Sequence, residues 1–147
     1  MRTILFLVLL SLTSLAACGK STPTPTPTVQ QPPVEPGDAN RGQTLFQQTL
    51  IGVNNAPGCT TCHSLAPGVV LVGPSLAGIG RRATTIVARS GYTGQAKNAA
   101  DYLHEAILQP NAYVEPGFQP NLMRATYGTD LSGQEVEDLV AFLLAVQ

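Results

Sequence analysis

Apolar residues recur at helical spacing in three separate stretches of this chain. In "GDANRGQTLFQQTL" the positions are Gly42, Leu45, Phe46 and Leu50, and Asp38 stands where an N-cap belongs. In "NAADYLHEAILQ" the pattern predicts a helix from Ala99 to Gln109, capped by Asn98 and ended by Pro110, because the residue before a proline is pushed out of the helical region. In "SGQEVEDLVAFLLAV" the stripe is Val136, Leu139, Val140 and Leu143, and Ser132 with Glu135 fits a capping box. No segment shows the alternation of a half-buried strand. The pattern predicts an all-α body. Between the helices run Gly- and Pro-rich segments such as "GPSLAGIG" and "PNAYVEPGFQPN". Irregular stretches of this length inside a small domain need something to wrap around.

The N-terminus has a different pattern. Ile4 to Leu12 form an apolar run, too short for a membrane-spanning helix of about 20 residues. Arg2 precedes it and small residues follow, so residues 1–17 read as a secretory signal and stand apart from the fold. Leu15-Ala16-Ala17-Cys18 resembles the lipobox of bacterial lipoproteins. That resemblance implies that Cys18 is lipidated and becomes the new N-terminus, on the extracytoplasmic (periplasmic) face of a bacterial membrane. A diacylated cysteine supplies the two lipid signals that stable anchoring takes. A free or disulfide-bonded Cys18 would instead leave an odd cysteine in an exported protein. Residues 18–37 then form the lipidated cysteine and a Pro/Thr-rich linker, "STPTPTPTVQQPPVEPG" at its heart. Proline offers no amide donor and fixes φ, so this segment builds neither helix nor sheet. From Gly19 to Gly37 a semi-rigid chain rising ~3.1 Å per residue reaches roughly 60 Å.

Residues 38–147 have the length of one domain. A chain of this size buries roughly two-thirds of its unfolded surface, so a large apolar cofactor would add usefully to its core. The full chain carries a formal charge of −1, and loss of Arg2 with the signal leaves 7 basic against 9 acidic side chains. That balance excludes the basic excess of a nucleic-acid binder.

The chemistry concentrates in "GCTTCHSLAP", where Cys59, Cys62 and His63 stand within five positions. A closed zinc site needs about four protein ligands, and here there is no second cysteine pair and only one further histidine, His104. A thioredoxin-like dithiol needs a βαβ context that the pattern lacks. A disulfide between Cys59 and Cys62 would close a very short loop, stabilise little, and give no reason for the histidine that follows. In an exported chain, Cys-x-x-Cys-His is the attachment signature of c-type haem. Both thiols add to the porphyrin vinyl groups, and His63 becomes the proximal iron ligand. The second axial position is commonly filled by Met or His. Outside the signal the chain has one methionine, Met123, in the irregular segment before the last helix, and one spare histidine, His104, in mid-helix. Met123 is favoured, although methionine also fills core gaps.

With these residues in hand, 38–147 resembles a class I cytochrome c domain. The matching features are the first helix with Gly42 and Phe46, the "CTTCH" motif, "GPSLAGI" after it, and a single methionine in a loop before the final helix. The resemblance implies an all-α fold of about three to five helices around one covalent haem c, with the first and last helices crossing near Gly42. It implies that the Pro74 carbonyl orients the ligand histidine. It places the ligand methionine where Met123 stands, although many relatives follow that methionine with proline and here Arg124 follows. Arg81 and Arg82 are candidates for neutralising the haem propionates, against the plainer role of solvated surface arginines. "GIGRR" lacks the strand and the remaining glycines of a phosphate loop.

The expected function is that of a membrane-tethered single-haem electron carrier, not an enzyme, in a respiratory or photosynthetic chain. Its partners would be redox proteins: a quinol-oxidising complex, a terminal oxidase or a reaction centre. The segment "ILQPNAYVEPGFQPNLM" also resembles cytochrome domains of oxidase subunit II and small lipoprotein cytochromes of quinol-oxidising complexes. A fixed subunit of such a complex is therefore the alternative. A ligand-binding or peroxidatic haem protein would need an open iron position, which Met123 is available to fill.

Overall fold

The structure is a computed structural model, and it describes residues 33–147. The stretch expected as a signal (1–17), Cys18, and the expected linker through residue 32 lie outside the described residues. Five α-helices carry the fold: α1 (Ala39–Gln47), α2 (Ile79–Val87), α3 (Ala99–Leu108), α4 (Tyr127–Asp130) and α5 (Gly133–Ala145). A two-residue antiparallel ladder, β1 (Leu50–Ile51) with β2 (Ala56–Pro57), forms a small hairpin after α1. Strands this short leave no alternation in the sequence. Leu50 is correspondingly not on the α1 stripe: it lies in β1 and is exposed. Among the described residues no helix is long and apolar enough to cross a membrane.

The three helices expected from periodicity start where side chains satisfy their free N–H groups. The Asp38 carboxylate accepts from the N–H groups of Asn40 and Arg41 at 2.8 and 3.0 Å. The Asn98 side chain accepts from Asp101 at 2.9 Å. Ser132 and Glu135 form the reciprocal capping box, with the Ser132 N–H donating to Glu135 at 2.7 Å. α2 was not expected. Its N-cap is Gly78, in the left-handed region at φ +64° with no side-chain cap, so no capping signature marks it. It is held by the buried stripe Ile79, Ala83 and Ile86. The residues just before α1 pack on α5: the Glu35 N–H donates to the Gln134 side chain at 2.7 Å.

α1 and α5 cross at Gly42, as the resemblance implies. Gly42 rests on the Asp138 carbonyl and on Cβ of Phe142, and a Cβ added there would collide with both. Beside the crossing, Phe46 and Phe142 pack at a ring-centroid distance of 5.3 Å. Asp138, 4% exposed, is paired with Arg41 Nε at 2.7 Å and Nη2 at 2.9 Å. Those bonds hold its carboxyl down at about 2, so it stays ionised. The replacement Gly42→Ala forces the two helices apart. It is expected to cost about 1–3 kcal/mol, the range for overpacking a tight core. In a domain of this size that lowers the thermal midpoint by roughly 4–8 °C per kcal/mol, read by circular dichroism.

Candidate functional site

The segment after the hairpin folds into a 3-10 turn, Cys59–Thr61. The N–H groups of Cys62 and His63 both donate to the Cys59 carbonyl, at 3.2 and 2.9 Å. In such a turn, residues three and four positions apart face the same way, so Cys59, Cys62 and His63 are presented to one side. That side is a cleft, partly open to solvent, which all three residues line. Its walls are mostly apolar: Phe46 from α1, Ile79 from α2, Leu103 and Ile107 from α3, Leu139 and Leu143 from α5. The loop from Pro110 to Met123 contributes Tyr113, Phe118, Leu122 and Met123 to the lining.

His63 is fixed in place. Its Nδ1 lies 2.9 Å from the Pro74 carbonyl oxygen. A carbonyl only accepts, so Nδ1 carries the proton and Nε2 keeps a free lone pair. Burial lowers the His63 pKa more than the Pro74 bond raises it, so the ring is neutral at pH 7. Gly73 lies against the imidazole so closely that a Cβ would overlap it. The return of the chain past His63 is secured by Gly73 donating to the Cys62 carbonyl at 2.9 Å and Leu76 donating to the Ser64 carbonyl at 2.8 Å. No disulfide joins Cys59 to Cys62, and before any attachment burial pushes the Cys59 thiol up to about 11. Among the described residues no cluster of three or more His, Cys, Asp or Glu side chains is arranged to hold a bare metal ion.

A family model described as Cytochrome c matches residues 39–147. The chain belongs to the cytochrome c family. The match covers the whole of the described helical body, and the cytochrome c domain carries haem c, with Cys59 and Cys62 fitting the attachment motif. The cleft suits such a group. It is large and apolar, it presents two thiols and a neutral imidazole on one wall, and Gly73 leaves room for the imidazole where a side chain would displace it. When bound, haem c gives the protein a one-electron couple. The cytochrome c domain is therefore an electron-transfer protein.

Of the residues singled out from the sequence, Cys59, Cys62, His63, Pro74 and Met123 all line this cleft. Arg81 and Arg82 do not. Arg81 is exposed on α2, and Arg82 is turned to the carbonyls of Ala77 and Ser75, at 2.6 and 3.0 Å, holding the preceding loop. His104 is also absent from the cleft; it lies on the far side of α3, with Nε2 3.4 Å from Glu137. The sequence reading missed Gly73, Tyr102 and Tyr113. The tyrosines line the cleft and join Tyr92 in an aromatic cluster, with centroids 5.1–6.4 Å apart. Only the glycine before Pro74 carried a signal that spacing could have revealed.

Proposed function

We propose that the protein is a lipid-tethered class I cytochrome c that shuttles single electrons at the extracytoplasmic face of a bacterial membrane. Cys59 and Cys62 hold the haem, His63 and Met123 are its axial ligands, and Cys18 carries the anchor. The observation that carries this reading is the convergence of Cys59, Cys62, His63 and Met123 on one apolar cleft. His63 supplies a neutral nitrogen oriented by Pro74, and Met123 supplies a thioether from the loop before α4. A filled coordination sphere leaves no position for substrate. The protein's task is then to exclude water from the cleft and to bring a partner close to its open edge.

The surface beside the cleft supports a protein partner. Leu65, Val69, Val70 and Leu71 are exposed and do not line the cleft, so the haem does not cover them. Val72 and Leu122 are exposed as well and line the cleft. From Ser64 to Gly80 there is no charged residue. Contiguous exposed apolar residues mark interaction sites, and their occupant here is an uncharged apolar patch on a redox protein. The same patch favours a second reading, a fixed subunit of a quinol-oxidising complex or terminal oxidase, because permanent interfaces are the more hydrophobic ones. Mild detergent solubilisation followed by native electrophoresis and haem staining separates the two. A carrier migrates alone, and a subunit migrates with a large complex. Cys18→Ser is expected to remove acylation and release the carrier from the membrane fraction. Full retention of the unacylated carrier would refute the anchor.

A further inference from the structure

We infer that the Arg124–Asp130 pair is a positioning device for Met123, tying the loop that carries the thioether to the hairpin that leads into the haem-attachment motif. The inference rests on Met123 being the distal ligand.

The loop around Met123 has little of its own to hold it. From Leu122 to Ala125 it makes no backbone–backbone hydrogen bond. Its place is set by side chains on either side. Before it, Asn121, in the left-handed region at φ +63°, exchanges bonds with the Asn111 side chain at 2.8 and 2.9 Å. After it, the Arg124 side chain reaches the Asp130 carboxylate, with Nε donating at 2.7 Å.

Asp130 is a fixed point to which several segments attach. It is 1% exposed. Its carboxylate also accepts from Thr126 Oγ1 at 2.7 Å and from Asn54 Nδ2 at 2.8 Å. Asn54 belongs to the hairpin turn. The Asp130 carbonyl accepts from the Val53 N–H at 2.8 Å, and Gly52, at φ +70°, lies against that carbonyl with no room for a Cβ. The hairpin is secured again where it ends. The Tyr127 hydroxyl donates to the Pro57 carbonyl at 2.7 Å, and the Gly58 N–H donates to Thr49 at 2.7 Å. The next residue is Cys59. The two segments that bracket the haem, one entering the attachment motif and one bearing Met123, are therefore referred to a single buried carboxylate. Arg124 is the link between that carboxylate and the residue beside the ligand. A proline at position 124 could not make it.

Arg124→Ala removes the link and leaves Asn54 and Thr126 to solvate the carboxylate. Freed on one side, Met123 leaves the iron more often. If the detached form is about 1% populated in the parent, a tenfold rise stays within the ~0.1–10% range typical of minor states. The test uses the haem-loaded protein and two readings: the near-infrared thioether-to-iron band of the oxidised form, and carbon monoxide uptake by the reduced form. Arg124→Ala is expected to keep covalent haem and helical circular dichroism, to weaken the band, and to take up carbon monoxide about tenfold faster. Arg124→Lys should restore part of both. Arg41→Ala is the matched control: it breaks the other buried pair, to Asp138, at the same 2.7 Å. It should lower the melting temperature and leave both readings unchanged. Parent-like band and uptake in Arg124→Ala, or equal changes in Arg41→Ala, overturn the inference. If Arg124→Ala fails to fold, Arg124→Lys and Arg124→Gln decide: band kept by lysine and weakened by glutamine supports it, and band kept by both overturns it. A parent without the band overturns the Met123 reading itself, and this inference with it.

Discussion

With both Cys59 and Cys62 replaced by alanine, the protein is expected to run on a denaturing gel with no haem stain, and its mass to be that of the bare polypeptide. The Cys-x-x-Cys-His spacing predicts covalent attachment, and the 3-10 turn at Cys59–Thr61 presents both thiols and His63 to the same wall of the cleft. Each single replacement leaves one thioether, so a reduced but denaturation-resistant stain should persist. The double variant should also lose stability. Phe46, Ile79, Leu103 and Leu139 belong to the core and line the cleft. A bound haem covers their cleft faces, and anything that binds only the folded state stabilises it by mass action. Without the thioethers, haem is retained only through the imidazole, Met123 and apolar contact, and dilution removes it. The melting temperature of the double variant should therefore depend on added haem, while that of the parent does not. Covalent haem in the double variant, or a parent of bare polypeptide mass from a host able to attach haem, would refute the attachment.

What the sequence made legible follows from how local each signal is. α1, α3 and α5 were readable because stripe and cap lie within one segment: Asp38 before Gly42, Leu45 and Phe46; Asn98 before Leu103 and Ile107; Ser132 and Glu135 at the head of the α5 stripe. α2 has its stripe but opens on Gly78, and a glycine cap looks like a loop. Leu50 kept helical spacing, yet the chain leaves α1 at Gln48 and turns into the hairpin, so spacing alone carried the stripe too far. The attachment motif was legible for the same local reason. The contacts that complete the cleft were not. Gly73 meets His63, and Asp130 meets Asn54, only after the chain has reversed. Arg82 shows the same limit from the other direction. Its charge favours a propionate, but its guanidinium is engaged by the carbonyls of Ala77 and Ser75, which only the fold brings to it.

Met123→Ala is expected to turn a closed haem into an open one. Met123 is the one methionine besides Met1, is packed against the core, and lines the cleft that holds Cys59, Cys62 and His63. Thioether ligation opposite histidine raises the potential, because the soft sulfur favours the reduced iron. Its loss should lower the midpoint potential by on the order of 0.1–0.3 V, part of the ~0.8 V that axial ligands command. The near-infrared band of the oxidised protein should vanish, and the reduced protein should bind carbon monoxide, which the parent excludes. His104→Ala is the comparison. His104 lies outside the cleft, 3.4 Å from Glu137, so its removal should leave spectrum and potential as they were. The pair of variants separates the two ligand sets that the amino-acid composition allows. If His104→Ala abolished six-coordination and Met123→Ala did not, the haem would be bis-histidine. That result would also require α3 to rotate or unwind, since His104 lies on its far side while Leu103 and Ile107 line the cleft. Loss of the α3 helical signal in the haem-loaded parent would mark the unwound form of that alternative, and a parent that keeps it leaves only a rotated α3 to be separated by the two variants.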